Sequence, residues 1–273
     1  MVTTLLLSLS IARAADWRDA MATGDCATVV SALPAPVVPV EQLALARCLE
    51  ETGDDCRAIE VAAGVSDRAL APYAKLVRAR ALLDRERAAE AVTTLDGVAL
   101  PGSDDELLRG RAMVLAGRSL EARDGLRSLL EVAAVAPEAR YWLAVGAVDR
   151  GERDAAITAF RATWTRHPLS PWATRAASKL ADLGAAVPDY ARAEGRALVL
   201  ERAKSLIAQK QAPEAVPLLD GIAAEDPFDT DDEARWLADA LFDGKAYARA
   251  RDAYASLPKT KDSPHHFFQY ALA

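Results

Sequence analysis

The chain has 273 residues, of which 51% are hydrophobic and 27% charged, and its formal net charge at pH 7 is −7. This length supports one or two ordinary domains or one long repeat array. An acidic chain without a basic block is a poor candidate for binding nucleic acid or an anionic membrane. No apolar run reaches the roughly 18 residues of a membrane-spanning helix, so an integral membrane protein is not expected. Abundant alanine, leucine and arginine favour an α-helical fold.

Residues 1–14 predict a signal peptide. Val2 to Ala12 form an apolar run that is too short to span a bilayer, and Ala12-Arg13-Ala14 matches the small-x-small pattern of a cleavage site. The first four residues carry no Lys or Arg, which such a leader usually has, and a misplaced start or a buried first helix is the alternative. We expect export to the periplasm.

All three cysteines lie in the first fifth of the chain. Residues 15–38, which include Cys26, predict a degenerate helix pair. Cys48 and Cys56 lie symmetrically about Thr52-Gly53, a predicted turn between two helices. These positions face each other in an antiparallel pair, so a disulfide between Cys48 and Cys56 is geometrically possible and would suit an exported protein. Burial of all three cysteines as small apolar side chains is the alternative.

A repeat of about 34 residues dominates the rest of the chain. In each of six predicted helix pairs, an alanine in the second helix has a mostly larger apolar residue four positions later and a small residue twelve positions earlier. The alanines are Ala58, Ala91, Ala122, Ala156, Ala215 and Ala250; the later residues are Ala62, Leu95, Leu126, Phe160, Leu219 and Tyr254; the earlier small residues are Ala46, Ala79, Gly110, Ala144, Ala203 and Ala238. Antiparallel helices cross closely only where side chains are small, and the residue four positions on fills the adjacent space of the same face.

This pattern resembles the tetratricopeptide (TPR) repeat. The repeat over residues 143–168 matches it best, with the leucine, small, glycine, alanine, aromatic and proline positions taken by Leu143, Ala144, Gly151, Ala156, Phe160 and Pro168. The sequence therefore predicts an all-α fold of antiparallel TPR-like helix pairs that form a right-handed α-superhelix. Repeats are expected over residues 39–168 and 189–258, and six near-regular pairs argue against a generic alanine-rich bundle.

The spacing of the repeats is broken once. The interval from Ala156 to Ala215 is 59 residues, one repeat plus about 25 residues. Ser170 as a cap, Pro171 as a first helical residue and Gly184 as a terminator predict an inserted helix and linker over residues 169–188. Residues 259–273 predict the first helix of an incomplete further repeat. The chain is thus expected to be the N-terminal portion of a longer protein, and a docked C-terminal helix is the alternative.

The sequence indicates no catalytic, cofactor or metal site. His167 precedes Pro168 at a predicted helix end, where we expect it to be solvated and its charge to be mildly favourable. The adjacent His265 and His266 point to different faces of a helix, so they cannot easily bind one metal. Phosphate-binding, dinucleotide-binding and nucleophile-elbow motifs are absent from the sequence. The 40 carboxylates include no pair selected by its spacing, and charged helix faces explain them.

One pattern indicates a binding surface. The residue after the small residue of the first helix is basic in four of the six pairs: Arg47, Arg80, Arg111 and Lys204. In TPR-like arrays this position tends to face the concave groove, where a row of cations could hold an anionic partner such as a peptide carboxylate. Arginine stems that lie over apolar surface are the favoured alternative, and Val145 and Asp239 interrupt the row.

The segment 160–173, with the sequence FRATWTRHPLSPWA, is followed by Ala177 and Leu180. It resembles the helix entry "tyrosine/histidine-Pro-x-Ser-Pro-x-Ala" of bacterial cell-envelope TPR proteins. Among these, the chain is most similar to the N-terminal helical superhelix of soluble lytic murein transglycosylases, which cleave peptidoglycan strands non-hydrolytically with a single glutamate of a lysozyme-like C-terminal domain.

The Glu-Ser and Gly-Leu-Met-Gln signatures of that catalytic domain do not occur in this sequence, so no catalytic residue is carried over. The resemblance implies an exported, non-catalytic scaffold that binds peptidoglycan or a protein partner and lies beside the enzyme domain. A freestanding periplasmic TPR adaptor for protein–protein interactions is the alternative.

Overall fold

The computed structural model describes residues 17–98, 102–189, 193–225, 228, 231–258, 270 and 272, and the regular elements in that part of the chain are helices. The predicted signal peptide over residues 1–14 and nearly all of the predicted incomplete repeat over residues 259–273 lie outside the described residues. The chain divides into two compact units, Met1–Val135 and Ala136–Ala273.

In the first unit, consecutive helices from the second to the eighth pack against one another. The helices are α1 (17–23), α2 (Cys26–Ala32), α3 (Pro39–Glu51), α4 (Asp55–Ala63), α5 (Ala71–Asp84), α6 (Ala88–Leu95), α7 (Ser103–Leu115) and α8 (Ser119–Ser128), followed by a 3-10 turn (Leu129–Glu131). In addition, α3 packs against α5, and α5 packs against α7. The first helices of three successive pairs therefore lie side by side.

The second unit contains three further helix pairs and one additional helix. Its helices are α9 (Ala136–Asp149), α10 (Arg153–Arg166), α11 (Pro171–Asp182), α12 (Ala193–Ala208), α13 (Ala212–Glu225), α14 (Asp231–Asp243) and α15 (Tyr247–Ser256). The pairs are α9 with α10, α12 with α13, and α14 with α15. The chain is thus all-α, with antiparallel TPR-like helix pairs in sequence order.

The inserted helix predicted from its capping residues is α11. The Ser170 hydroxyl accepts a hydrogen bond from the Trp172 amide at 3.2 Å, and Gly184 has a φ of +64° after the helix ends. The helix packs on α9 and α10, and the Trp172 ring lies 4.9 Å from the ring of Tyr141 on α9, centroid to centroid. An aromatic contact therefore holds the inserted helix against the pair that precedes it.

The small residues identified in the sequence lie at the helix crossings. Every alanine among them is at most 2% exposed, and the glycine is buried as well. The residues four positions after the second-helix alanines are also buried. The burial confirms the predicted role of these positions as the contact between paired helices.

The crossing of α7 and α8 shows why one pair has glycine at the small position. A Cβ atom built on Gly110 would lie 2.5 Å from Cδ2 and 2.7 Å from Cγ of Leu126. Leu126 is the large residue of the same pair and is 1% exposed, so it could move only by disturbing packed neighbours. With Leu126 in place, there is no room for a Cβ atom at position 110.

The same kind of turn joins the two helices in each of the six predicted pairs. A residue with left-handed backbone, φ between +59° and +82°, precedes each second-helix alanine by five positions: Gly53, Glu86, Gly117, Gly151, Lys210 and Lys245. The amide of the next residue donates to the carbonyl five positions earlier, at 2.8–2.9 Å, as Asp54 does to Leu49. This is the Schellman ending of a helix. Glycine marks only three of these turns in the sequence.

We predict that Gly110→Ala destabilises the protein. Alanine gains about 1 kcal/mol of helix propensity over glycine, but forcing an extra carbon into a packed contact typically costs about 1–3 kcal/mol. The free energy of unfolding should therefore fall by up to about 2 kcal/mol, measured by urea denaturation.

Gly125→Ala is the matched control in the same helix pair. A Cβ atom on Gly125 would meet the carboxylate end of Glu106, whose side chain is 40% exposed and can rotate away. This variant should be neutral or slightly stabilising. An equal loss of unfolding free energy in Gly110→Ala and Gly125→Ala would contradict the tight crossing at Gly110.

Candidate functional site

Three of the four predicted binding residues lie on neighbouring helices of the first unit. Arg47, Arg80 and Arg111 occupy the equivalent position on α3, α5 and α7, and these helices pack side by side. Lys204 lies on α12, in the second unit. The first unit alone therefore supplies a row of three arginines.

Each of these arginines has a carboxylate nearby. Arg47 Nε donates to Glu51 Oε1 at 3.0 Å, and Arg111 Nη2 lies 3.6 Å from Asp84 Oδ1. Arg80 interacts electrostatically with Glu50. We call these six residues of α3, α5 and α7 the charged strip: Arg47, Glu50, Glu51, Arg80, Asp84 and Arg111. The strip has three positive and three negative side chains, so it offers hydrogen-bond donors and acceptors in nearly equal number. The binding of an anionic partner here stays a prediction.

Glu50 is the member of the charged strip whose ionisation is most perturbed. Burial raises the pKa of the Glu50 carboxyl, the Arg80 guanidinium opposes the rise, and the nearby Asp84 and Glu51 carboxylates add to it. Glu50 therefore takes up a proton at a higher pH than an ordinary glutamate does. As the pH falls, protonation of Glu50 removes one negative charge from the strip, and the net charge of the strip becomes more positive.

Exposed apolar side chains extend the charged strip. Val40 and Tyr73 are 42% and 52% exposed, and each lies seven residues before an arginine of the strip, Arg47 and Arg80 respectively. Seven residues are two helical turns, so each apolar side chain lies on the same helix face as its arginine. Tyrosine and arginine are both enriched at protein interfaces. The face thus carries both of these residue types, whereas its glutamates and aspartate are of types depleted at interfaces.

The corresponding positions of the second unit take part in packing. The ammonium group of Lys204 lies 3.7 Å from the centroid of the Trp236 ring, a cation–π contact between α12 and α14. Asp239 Oδ1 accepts a hydrogen bond of 2.5 Å from the Tyr254 hydroxyl. Burial, together with this hydrogen bond, raises the pKa of Tyr254 well above its ordinary value. Lys204 is therefore held by the next helix pair.

A second row of arginines, missed by the sequence reasoning, ties successive pairs together. Arg109 donates to the carbonyls of Leu95, at 3.5 Å, and of Val98, where α6 ends. Arg202 donates to the Trp164 carbonyl near the end of α10, and its guanidinium lies 4.2 Å from the centroid of the Trp164 ring. The signal in the sequence is a basic–small–basic triplet, at residues 78–80, 109–111 and 202–204. In the last two triplets the first residue makes these contacts.

The predicted Cys48–Cys56 disulfide is wrong. Cys48, on α3, is bonded to Cys26 on α2, with 4.9 Å between the two Cα atoms, while Cys56 has a free, exposed thiol. Helix α2 packs against α3 and brings Cys26 beside the fully buried Cys48. Cys56, in the first turn of α4, points to solvent. Cys48 and Cys56 lie at equal distances from the turn, so they are level with each other along the two helices. Their side chains nevertheless point in different directions.

The described part of the chain shows neither a metal centre nor a membrane span. Within it, no three or more His, Cys, Asp and Glu side chains are grouped so that they could hold a metal ion, and no helix is long and apolar enough to cross a bilayer. His167 is half-buried, and burial, with Arg140 and Arg166 nearby, lowers its pKa. It is therefore neutral at pH 7. His265 and His266 lie outside the described residues.

Comparisons with known proteins found similarity to solved structures alone. No protein-family model matches the sequence, and no curated protein matches it either. Among solved structures, the chain is similar to a tetratricopeptide repeat protein from Parabacteroides merdae, at 14% identity over 96% of this chain and 98% of that one, with a TM-score of 0.46. It is also similar to the TPR domain of P58(IPK), at 13% identity over 96% of this chain and 87% of that one, with a TM-score of 0.28. The fold assignment rests on the helix pairs themselves.

Proposed function

We propose that the chain is a protein-binding scaffold whose binding surface is the charged strip together with Val40 and Tyr73. One observation carries this proposal: α3, α5 and α7 lie side by side and present equivalent arginines in one row. Arg47 and Arg111 each lie beside a carboxylate, and Arg80 interacts electrostatically with Glu50. Two exposed apolar side chains continue the row.

A surface of this kind fits a partner segment that carries both charges and apolar side chains. A carboxylate of the partner can replace Glu51 or Asp84 as the ligand of an arginine, and a basic group can take the carboxylate that is released. Charges of both signs contribute to partner choice and register more than to affinity, which would come from side chains that the partner covers, such as Tyr73. The scaffold is therefore expected to hold one segment in one orientation.

The setting that we propose for this scaffold is the cell envelope, as the non-catalytic N-terminal module of a peptidoglycan lytic transglycosylase. It is supported by the predicted leader over residues 1–14 and by the resemblance of the segment 160–173, where Ser170 and Pro171 begin α11. In this setting the adjoining domain cleaves the glycan strand. A freestanding periplasmic adaptor is the alternative proposal.

The binding surface is tested by capture of partners from an envelope extract of the source organism with immobilised, cross-linkable chain. We expect wild-type chain to retain a protein that the Arg80→Ala/Arg111→Ala variant loses by about tenfold or more, since two interface arginines each contribute on the order of 1 kcal/mol. The matched control is Arg123→Ala/Arg127→Ala on α8, outside the strip, which should retain the same protein. Equal recovery with both double variants rules out the charged strip as the binding surface.

The setting is tested by blotting fractionated cells with an antibody to this chain. A transglycosylase module gives a periplasmic band much heavier than the 29.2 kDa of the chain. A periplasmic band near that mass selects the freestanding adaptor. A cytosolic band contradicts both proposals of an envelope setting.

A further inference from the structure

A solvent-open cavity of about 330 Å³ lies at the surface between α5 and α6 of the first unit. Lys75 and Arg78 of α5 line one side of it, and Glu90, Thr93 and Thr94 of α6 line the other. None of these residues belongs to the charged strip, so an occupant of the cavity would bind independently of the proposed protein partner. Its volume is at the lower end of the range for small-molecule sites.

Arg78 supplies the guanidinium group that lines this cavity. Its Nε atom is buried and has no hydrogen-bond partner among the described residues. The equivalent residues Arg109 and Arg202 both donate to carbonyl groups of the preceding pair. The remaining pairs have leucine at this position, namely Leu45, Leu143 and Leu237. A buried guanidinium nitrogen without a partner is costly. The Glu90 carboxylate already interacts electrostatically with Arg78, and an anion in the cavity would add to that interaction.

The charges around Arg78 favour an anion in the cavity. Lys75 lies three residues earlier, on the same face of α5, and its Nζ atom is 3.5 Å from the Asp96 carbonyl oxygen, which leaves further N–H groups for a ligand. Glu90 is the carboxylate of the lining, and Arg87 holds both of its oxygens, at 2.7 and 2.8 Å. The cations therefore outnumber the anions at this site.

The opposite wall of the cavity offers hydrogen-bond acceptors. The Thr93 hydroxyl donates to the Ala89 carbonyl at 3.0 Å, and the Thr94 hydroxyl donates to the Glu90 carbonyl at 2.8 Å. Each hydroxyl has thereby used its hydrogen, and its lone pairs remain to accept from a ligand. The α5 wall thus donates to an anion, and the α6 wall accepts from neutral O–H groups.

We propose that this cavity binds a small hydroxylated carboxylate of about the size of a six-carbon sugar acid. The carboxylate lies against Lys75 and Arg78, which supply charge-assisted hydrogen bonds. The hydroxyl groups of the ligand donate to Glu90, Thr93 and Thr94. Both halves of the ligand are needed, because each wall of the cavity serves one of them.

The experiment is a titration of the ¹⁵N-labelled chain, followed by NMR, with three six-carbon probes. Gluconate carries both the carboxylate and the hydroxyls, hexanoate has the carboxylate alone, and sorbitol has the hydroxyls alone. Gluconate should shift the amides of α5 and α6 around the cavity and saturate, while hexanoate and sorbitol should bind about tenfold or more weakly, since each lacks one set of hydrogen bonds.

Arg78→Leu tests the role of the guanidinium, and leucine already occupies this position in other pairs, so the fold should be kept. We expect it to weaken gluconate binding by about tenfold or more, and Lys75→Gln, at an exposed position, to weaken it by less. Arg68→Leu, an exposed arginine away from the cavity, is the control and should bind as wild type does. Gluconate shifts that are absent, are spread over the surface, are matched by hexanoate, or survive in Arg78→Leu overturn the proposal.

Discussion

Two antiparallel helices can approach closely only where the side chains between them are small, and each helix pair of this protein is closed at such a point. The contact consists of a small residue on the first helix, an alanine on the second, and an apolar residue one turn later that fills the adjacent space. At Gly110 and Leu126 the approach leaves no room for even a Cβ atom. The Schellman turn before each second helix then fixes the number of residues between the two contact points, which explains the constant separation of twelve.

The placement of the charged side chains follows from this crossing. Since the small residue faces the partner helix, its two neighbours in the chain point about 100° to either side. In the basic–small–basic triplets, the later residue reaches the face that α3, α5 and α7 share, as Arg80 and Arg111 do. The earlier residue turns toward the preceding pair, where Arg109 and Arg202 bind carbonyl groups at helix ends. One triplet thus serves both the interface between pairs and the candidate binding surface.

The regular part of this arrangement is predictable from the sequence because it follows local rules. Small residues at fixed spacing predicted the helix pairs, and Ser170, Pro171 and Gly184 predicted α11. Side-chain direction and partner choice depend on packing, which spacing does not specify. Cys48 therefore bonds to Cys26 rather than to Cys56, and the carboxylates beside the arginines of the strip were not identified in advance. The left-handed turn at Glu86 has no glycine to mark it, and the unpartnered nitrogen of Arg78 is visible only in the structure.

The central claim is that the crossing at Gly110 is limited by Leu126, and a double-mutant cycle tests it most directly. The free energy of unfolding is measured by urea denaturation for wild type, Gly110→Ala, Leu126→Ala and the double variant. Truncation of Leu126 removes the atoms that a Cβ at position 110 would meet. The loss of unfolding free energy in the double variant should therefore be smaller than the sum of the two single losses, by about 1 kcal/mol or more. Additivity to within about 0.5 kcal/mol would show that the two residues do not limit one another and would contradict the account.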